Sequence, residues 1–249
     1  MREKHPGSFF IAMTSAKMKI TAVIPAGGSG RRMQKSEAKQ YLLLRGIPLL
    51  VHTLRTFQKA PFIGDIVLVV PAADVPRIQS DIVDAFAMTK IRQIVAGGKE
   101  RQDSVRNGLA VLSADCEIVI IHDAARPFVS PALIEKAANG AMQEGAVAVG
   151  LRVRDTVKQC DGEGRVIETL DREQIWMAQT PQAFRRATIV AAHKKAQEDN
   201  FYGTDDAALV ERMGVPVKMI DSIPDNIKIT TTEDLAWAEY RLSTRQNIF

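Results

Sequence analysis

Cysteine is scarce in this chain of 249 residues, which contains only Cys116 and Cys160. Neither residue belongs to a Cys-x-x-Cys motif or to a Cys/His pair, so neither a disulfide framework nor a zinc site is indicated. Few and unpaired cysteines are typical of a reducing compartment, and we expect a cytoplasmic protein.

Long apolar runs are also missing from the sequence. No stretch approaches the ~18 residues that a membrane-spanning helix needs. The apolar segment at residues 9–13 is too short for the hydrophobic region of a secretory signal. We therefore expect a soluble protein that is not exported and has no membrane partner.

Neither sign of charge dominates, because 33 Lys and Arg residues face 29 Asp and Glu residues, for a net charge of +4. Without a clustered basic face, a nucleic-acid partner is not indicated, whereas an anionic small molecule remains open. Hydrophobic residues at 46% and charged residues at 25% match a globular protein and exclude disorder, collagen and coiled coil. With ~150 residues per domain as a guide, one large α/β domain fits the length.

The chain after residue 18 alternates short β-branched runs with segments of helical period, which is typical of βαβ units on a parallel sheet. We treat residues 1–18 as an N-terminal tail and residues 19–249 as one domain. The predicted strands are 20–24, 66–70, 91–95, 118–121 and 146–151, and the predicted helices lie near 48–59, 74–86, 100–112 and 131–142. Ser130 and Pro131 mark a helix start, and Thr231 to Asp234 form a capping-box pattern before the last helix.

Residues 152–172 interrupt this alternation, because they read as two strands around the turn sequence Asp161-Gly162-Glu163-Gly164. A two-stranded ribbon is marginally stable by itself. We therefore expect this β-arm to pack against another surface, and a second subunit is a plausible packing partner.

A glycine-rich loop, PAGGSGRRM at residues 25–33, follows the first predicted strand, and Lys39 comes shortly after it. Glycines let backbone N–H groups approach a phosphate, and the arginines offer charged donors, so the loop could cradle a polyphosphate. The alternative is a solvated turn with two surface arginines. Its position after the first strand favours a site, since ligands of open α/β sheets bind beyond the carboxyl ends of the strands.

Two common phosphate-binding motifs do not fit. A dinucleotide fingerprint that begins at Gly28 needs glycine where Met33 stands and an acid ~20 residues further on, but residues 38–64 contain no Asp or Glu. A P-loop that ends at Gly98-Lys99 would need glycine where Gln93 stands and a hydroxyl residue where Glu100 stands.

The loop instead resembles the signature of nucleotidyltransferases that make sugar-nucleotide-type products. Seven later segments follow in the sequence: GGKERQDSV (97–105), HDAARP (122–127), VRDT (153–156), DR (171–172), TPQ (180–182), TDD (204–206) and DNIK (225–228). With them, the chain resembles over residues 20–240 the 2-C-methyl-D-erythritol 4-phosphate cytidylyltransferase family of the non-mevalonate isoprenoid pathway.

The resemblance implies a three-layer α/β/α Rossmann-like nucleotidyltransferase fold with a mostly parallel sheet and a protruding β-arm. It implies transfer of the cytidylyl group from CTP to 2-C-methyl-D-erythritol 4-phosphate, with release of pyrophosphate. Ribitol 5-phosphate is the alternative acceptor, because both acceptors are phosphorylated polyols. An alternative of another class is a non-catalytic CTP sensor that uses the same pocket.

The resemblance also assigns roles to residues. The implied catalytic residues, which neutralise or place the phosphates, are Arg32, Lys39, Arg172 and Lys228. The implied CTP-binding residues are Pro25, Ala26, Gly27, Gly28, Gly30, Arg31, Gly98, Arg101, Ser104, Asp123 and Ala124. The implied acceptor-binding residues are Arg126, Thr156, Thr180 and Thr204. Backbone groups at residues 26–27 and 97–98, with Ser104, would select cytosine.

Mg²⁺ or another divalent cation is expected, since carboxylates and substrate phosphates together form octahedral oxygen sites. Asp123 and Asp225 are the candidate ligands. The resemblance further implies a homodimer through the arm, with Thr156 acting in the neighbouring active site. Two positions depart from the family pattern: Lys99, where many relatives carry an acid, and Ala38, where proline is common. The four histidines predict no triad, and we interpret His122 as a structural residue.

Overall fold

The computed structural model of the protein describes residues 19–27 and 39–245. The strands are β1 (Lys19–Pro25), β2 (Leu43–Leu44), β3 (Ile47–Pro48), β4 (Ile63–Val70), β5 (Ile91–Ala96), β6 (Cys116–Ile121), β7 (Ala146–Arg152), β8 (Val157–Cys160), β9 (Val166–Leu170), β10 (Trp176–Arg185) and β11 (Lys218–Asp221). The helices are α1 (Leu49–Lys59), α2 (Val75–Ile78, continued by a π-helical segment Gln79–Asp84), α3 (Arg101–Ala110), α4 (Pro131–Glu144), α5 (Arg186–Glu198), α6 (Asp206–Arg212) and α7 (Thr232–Arg245).

Seven strands form the central sheet, in the order β11-β7-β10-β6-β1-β4-β5. Strand β10 pairs antiparallel with both β6 and β7, whereas the other pairs are parallel. The sheet is therefore mostly parallel, as the alternation in the sequence predicts.

Each face of this sheet is covered by helices, because successive strand residues point to opposite sides. On β1, Ala22 and Ile24 belong to one buried cluster, which also contains residues of α1 and α4. Val23 belongs to a second cluster on the other face, with residues of α3, α5 and α6. The three-layer α/β/α arrangement is confirmed.

Helix α3 packs closely against the sheet at Gly108. A Cβ on its Gly108 would stand 2.7 Å from Cγ1 of Val23 and 2.9 Å from Cγ2 of Val69. The missing side chain thus lets the last turn of α3 approach β1 and β4.

The predicted helix signals are confirmed. The Ser130 hydroxyl accepts a hydrogen bond from the backbone N–H of Leu133, with Pro131 at the first position of α4. At the start of α7, Thr231 Oγ1 accepts from the N–H of Asp234, and the Asp234 carboxylate accepts from the N–H of Thr231.

The predicted hairpin is also present, as the antiparallel pair β8 and β9. Every residue of these two strands except Val157 and Leu170 is exposed, and the side chains of Val166 and Ile167 are 59% and 63% exposed. The ribbon forms a separate two-stranded sheet between β7 and β10 in the sequence.

Strands β10 and β11 and helices α5 and α6 were not predicted from the sequence. Within the part of the chain that the structure describes, none of the helices has both the length and the apolar character to cross a membrane.

Candidate active site

The carboxyl ends of β1, β4 and β5 meet at one edge of the sheet. The backbone N–H of Ala26 donates to the carbonyl oxygen of Val69 at 2.7 Å, and that of Gly97 donates to Val70 at 2.7 Å. These bonds extend the pairing beyond the strands and place residues 26–27 beside residues 97–98. The two backbone segments expected to select the base are therefore neighbours.

The Ser104 hydroxyl, in the first turn of α3, lies at the centre of this junction. It accepts a hydrogen bond from the N–H of Gly98 at 3.1 Å and donates to the carbonyl oxygen of Glu100 at 3.1 Å. A Cβ on Gly97 would be 2.9 Å from Ser104 Oγ, and one on Gly98 would be 2.3 Å from Cβ of Asp103. Only glycine permits this close approach of the loop to the helix.

Asp123 lies two residues after the end of β6 and is buried. Three cations surround its carboxylate. Nζ of Lys228 lies 2.8 Å from Oδ2, and Nε of Arg101 lies 3.0 Å from Oδ1. Nε of Arg126 is 3.7 Å from Oδ2. The structure thus brings four of the predicted site residues into one cluster.

The cations decide the ionisation state of Asp123. Burial alone raises the pKa of this carboxyl, but the positive charges of Arg101, Lys228 and Arg126 outweigh burial and hold the pKa well below its ordinary value. Burial also lowers the pKa of the Arg126 guanidinium, and Asp123 opposes that shift. Arg101 also pairs with the buried carboxylate of Asp206, so three cations face two carboxylates and the cluster keeps a surplus of one positive charge.

The loop that carries Asp123 is fixed by His122 and Thr180. Nε2 of His122 is 3.1 Å from the carbonyl oxygen of Arg126, which can only accept, so Nε2 carries the proton. Nδ1 then accepts from the Thr180 hydroxyl at 3.0 Å, and that hydroxyl accepts from the N–H of Asp123 at 3.0 Å. Burial lowers the pKa of His122 to about 4, which agrees with a neutral ring and with the structural interpretation.

Residues 225–229 reach the cluster through backbone contacts. Nη1 of Arg126 donates to the carbonyl oxygen of Asn226 at 2.8 Å, and the N–H of Ile229 donates to Ala125 at 2.9 Å. The buried Asn226 side chain donates to the carbonyl oxygen of Thr180 at 2.8 Å. Lys228 is thereby placed beside Asp123.

Three further predicted residues are exposed: Thr156, Arg172 and Thr204. Thr156 directly precedes β8, and Nη1 of Arg172 donates to the carbonyl oxygen of Arg154 at 2.9 Å, so both residues lie at the base of the arm. Thr204 precedes the two aspartates at the start of α6. Their roles stay predictions.

Several predicted residues lie outside the described residues: Gly28, Gly30, Arg31 and Arg32. Ala38, one of the two departures from the family pattern, lies there as well. Lys39 begins a short 3-10 helix, Lys39–Tyr41, of which the backbone is described. Lys99 is exposed beside Gly98.

The carboxylates expected to bind a metal differ in their surroundings. Among the described residues no group of three or more His, Cys, Asp or Glu side chains could hold a metal ion. Each carboxylate oxygen of Asp123 has one close contact with a cation. A carboxylate oxygen can accept a second contact, so Asp123 could also bind a metal ion that is held by the substrate phosphates. Oδ2 of Asp225 already accepts from Nε and Nη2 of Arg241, at 2.9 and 2.6 Å. Asp123 is the better fit.

The sequence did not single out two residues that support this cluster, Gln182 and His193. Nη1 of Arg101 donates to Oδ2 of Asp206 at 2.7 Å, and Oδ1 of Asp206 lies 3.1 Å from Nε2 of His193. Oε1 of Gln182 accepts from the N–H of Asp206 at 3.1 Å. Gln182 belongs to the TPQ segment and Asp206 to the TDD segment, so both segments stood out in the sequence. Nothing in the sequence indicated that the two segments contact each other.

Comparison with known proteins shows which family the chain resembles. The family model described as 2-C-methyl-D-erythritol 4-phosphate cytidylyltransferase matches residues 20–244. A protein of that name from Syntrophus aciditrophicus (strain SB) is 52% identical over 223 residues, which cover 90% of this chain and 95% of the relative. A second, from Geotalea uraniireducens (strain Rf4), is 47% identical over 224 residues, which cover 89% of this chain and 96% of the relative.

Solved structures show the same fold. The crystal structure of 4-diphosphocytidyl-2C-methyl-D-erythritol synthase from Anaerococcus prevotii DSM 20548 is 34% identical, with a TM-score of 0.79, and the match covers 91% of this chain and 97% of that one. The cytidylyltransferase structure from Thermus thermophilus is 30% identical, with a TM-score of 0.75 and coverage of 91% and 100%.

The α/β/α fold, the cationic cluster at the sheet edge and these similarities define an enzyme of the nucleotidyltransferase class. Within that class, the chain belongs to the 2-C-methyl-D-erythritol 4-phosphate cytidylyltransferase family.

Proposed function

We propose that this enzyme transfers the cytidylyl group of CTP to 2-C-methyl-D-erythritol 4-phosphate. An oxygen of the acceptor phosphate attacks the α-phosphorus, the bond from that phosphorus to the bridging oxygen of the β-phosphate breaks, and pyrophosphate leaves. The products are 4-diphosphocytidyl-2-C-methyl-D-erythritol and pyrophosphate.

The observation that carries the proposal is the surplus of positive charge around Asp123. Two anionic substrates repel each other, so their approach requires fixed cations at the place of reaction. Arg101, Arg126 and Lys228 meet there. Nη2 of Arg101 is buried and lacks a hydrogen-bond partner within the described part of the chain. Such a donor suits a phosphate oxygen.

The site residues divide into two groups in this proposal. The residues that hold CTP are 25–28, Gly30, Arg31, Gly98, Arg101, Ser104, Asp123 and Ala124, and Arg32 and Lys39 neutralise its phosphates. Lys228 and Arg172 place the acceptor phosphate for in-line attack, with Arg126, Thr180 and Thr204 on the acceptor side. Thr180 acts through its bond to the N–H of Asp123. Asp123 keeps Lys228 and Arg101 in place.

A divalent cation, Mg²⁺, belongs to the proposal as a companion of the CTP phosphates. Asp123 would contact it as a single carboxylate. When bound, the ion neutralises phosphate charge and polarises the phosphorus–oxygen bonds.

The arm supports a further part of the proposal, a homodimer. Its exposed apolar side chains Val166 and Ile167 are available to a second copy of the chain. Thr156, at the base of the arm, would then enter the active site of the partner. Both cysteines are free thiols, which supports a cytoplasmic location.

A direct test mixes the purified protein with CTP, Mg²⁺ and one acceptor, and measures pyrophosphate release. We expect release with 2-C-methyl-D-erythritol 4-phosphate at a kcat/KM at least ~10²-fold above that with ribitol 5-phosphate. UTP in place of CTP serves as the control and should react poorly, because hydrogen-bonded base sites reject the wrong partner. A preference for ribitol 5-phosphate, or tight CTP binding without turnover on either acceptor, would contradict the proposal.

A further inference from the structure

Asp206 is buried, with 1% of its surface exposed, and it contacts the cluster from outside. It is the first residue of α6. Its Oδ2 accepts a hydrogen bond from Nη1 of Arg101 at 2.7 Å, and its Oδ1 lies 3.1 Å from Nε2 of His193, a buried residue of α5. Neither Asp206 nor His193 has a part in the reaction proposed above.

Arg101 is shared between two carboxylates through two different nitrogens. Its Nε donates to Oδ1 of Asp123 at 3.0 Å, while its Nη1 donates to Asp206. The guanidinium is planar and its donors have a fixed geometry, so two such contacts fix both its position and its plane. With only one contact, the group could rotate about that bond.

Asp206 is itself held by rigid elements. Oε1 of Gln182, on the central strand β10, accepts from the N–H groups of Asp206 and Ala207 at 3.1 and 3.0 Å. His193 occupies Oδ1, so Oδ2 is the oxygen left for Arg101. This chain of contacts runs from α5 and β10 to the carboxyl edge of the sheet.

Stability alone does not explain a buried carboxylate at this position. Taking charges out of water costs free energy, and well-packed apolar residues often replace a buried ion pair without loss of stability. Here one end of the ion-pair chain reaches Asp123 and Lys228. A function at the substrate end is therefore the better explanation for Asp206.

We propose that Asp206 is a positioning residue for CTP binding, which fixes the guanidinium of Arg101 against Asp123, and that His193 in turn fixes Asp206. The inference rests on the proposed function, because it takes Arg101 as a CTP contact. Asp206 acts through Arg101 and does not touch the nucleotide.

The first test observes Arg101 without any ligand. In protein labelled with ¹⁵N-arginine, the Nε–H signal of Arg101 is assigned by its loss in Arg101→Lys. We expect slow hydrogen exchange of this group in the wild type and exchange at least ~10-fold faster in Asp206→Asn, because an opening equilibrium governs exchange of a bonded group. Asp199→Asn is the matched control, since it breaks the pairing of Lys195 and Arg212 across α5 and α6 and should leave the signal unchanged.

The second test measures CTP binding by calorimetry. Asp206→Asn should weaken binding about tenfold, the effect of one charged hydrogen bond, and should weaken it no further in an Arg101→Met background. The KM for the acceptor should stay within twofold. Unchanged CTP affinity, or equal weakening in both backgrounds, would overturn the positioning role.

A milder variant covers the case in which Asp206→Asn fails to fold. His193→Gln keeps the buried charge and loosens only Oδ1, so it should speed Nε–H exchange and weaken CTP binding about threefold. Wild-type values of both would overturn the inference. If the wild type transfers cytidylyl groups to no acceptor, the proposed function fails, while Nε–H exchange still decides whether Asp206 positions Arg101.

Discussion

Nζ of Lys228 lies 2.8 Å from Oδ2 of Asp123. The two residues are far apart in the sequence, because Asp123 follows strand β6 in the middle of the sheet and Lys228 belongs to the loop before the last helix. The contact depends on Asn226 and Ile229, whose backbone bonds to Arg126 and Ala125 join the two segments. It turns a surface lysine into a fixed cation beside the two arginines.

Substitution of Lys228 should affect turnover more than nucleotide binding. In Lys228→Gln, Arg101 and Arg126 still neutralise Asp123, so the fold and CTP affinity should change little. We expect kcat to fall by ~10²- to 10³-fold, because the lost charge stabilises the phosphates during transfer. Pyrophosphate release measures kcat, and calorimetry measures CTP affinity. Lys218→Gln, on the exposed edge strand β11, is the control, and a kcat near the wild-type value in Lys228→Gln would refute the assignment.

His122 should make stability depend on pH. Burial lowers its pKa from 6.5 to about 4, so the unfolded chain takes up a proton between these values while the folded chain does not. Stability is therefore intact above pH 6.5 and falls as the pH drops towards 4, by about 3 kcal/mol in total. Chemical denaturation of wild type and His122→Asn at several pH values measures this loss.

The His122→Asn variant should show a flatter profile between pH 6.5 and 5, where carboxylates contribute little. At pH 8 the two proteins should show the same pH slope, because the imidazole is neutral in both states. If the stability of wild type and His122→Asn also changed equally with pH between pH 6.5 and 5, protonation of His122 would not be coupled to folding.

Gly98 should not tolerate a methyl group. The added Cβ would stand 2.3 Å from Cβ of Asp103, so the loop must move away from α3 and the N–H of Gly98 would leave Ser104. We expect Gly98→Ala to destabilise the fold by about 1–3 kcal/mol and to weaken CTP binding. Thermal denaturation and calorimetry check both effects. Gly162→Ala is the control, because a Cβ there has no neighbour within 4 Å.

The arm should hold a dimer together. The double variant Val166→Glu/Ile167→Glu replaces the exposed apolar residues of the arm, and it should be a monomer in analytical ultracentrifugation. Its circular dichroism spectrum should match that of the wild type, because the ribbon is exposed and its residues do not support the core. The monomeric variant should also be inactive. Val190→Glu, an exposed residue of α5, should remain dimeric. A monomeric and fully active wild type would refute this part of the proposal.

A mixing experiment tests whether Thr156 acts across the dimer. Thr156→Ala and Lys228→Gln would each be nearly inactive, but a mixed dimer combines one intact Lys228 with an intact Thr156 from the other subunit. We expect co-refolded protein to recover up to about a quarter of the wild-type activity by random pairing. No recovery would place Thr156 in the site of its own subunit, and an active Thr156→Ala variant would place it outside any site.

The fold was predictable where the sequence carries a local signal. Parallel strands β1, β4, β5 and β6 are short β-branched runs, and the caps of α4 and α7 use ordinary capping residues. Strand β10 was missed because it is antiparallel and contains Pro181, which removes a backbone donor. The structure accommodates Pro181 where the pairing with β7 is irregular, between Ala178 and Gln182.

The site was predictable only in part for a related reason. The position of Asp123 at the sheet edge could be predicted, because the residue lies just after a predicted strand. The contacts of Asp206 with Arg101 and His193 could not be predicted, because they join α3, α5 and α6 across long sequence separations. His193 lies within a helix that has no catalytic pattern, so only the three-dimensional packing shows its contact.

The central claim, that cations at this edge of the sheet bring CTP and a phosphorylated polyol together, is tested most directly by a crystal structure with CTP bound. It should show the cytosine beside residues 97–98 and Ser104, and the triphosphate in contact with Arg32 and Lys39 on the side facing Lys228. A triphosphate bound away from Arg32, Lys39 and the Asp123 cluster would contradict it.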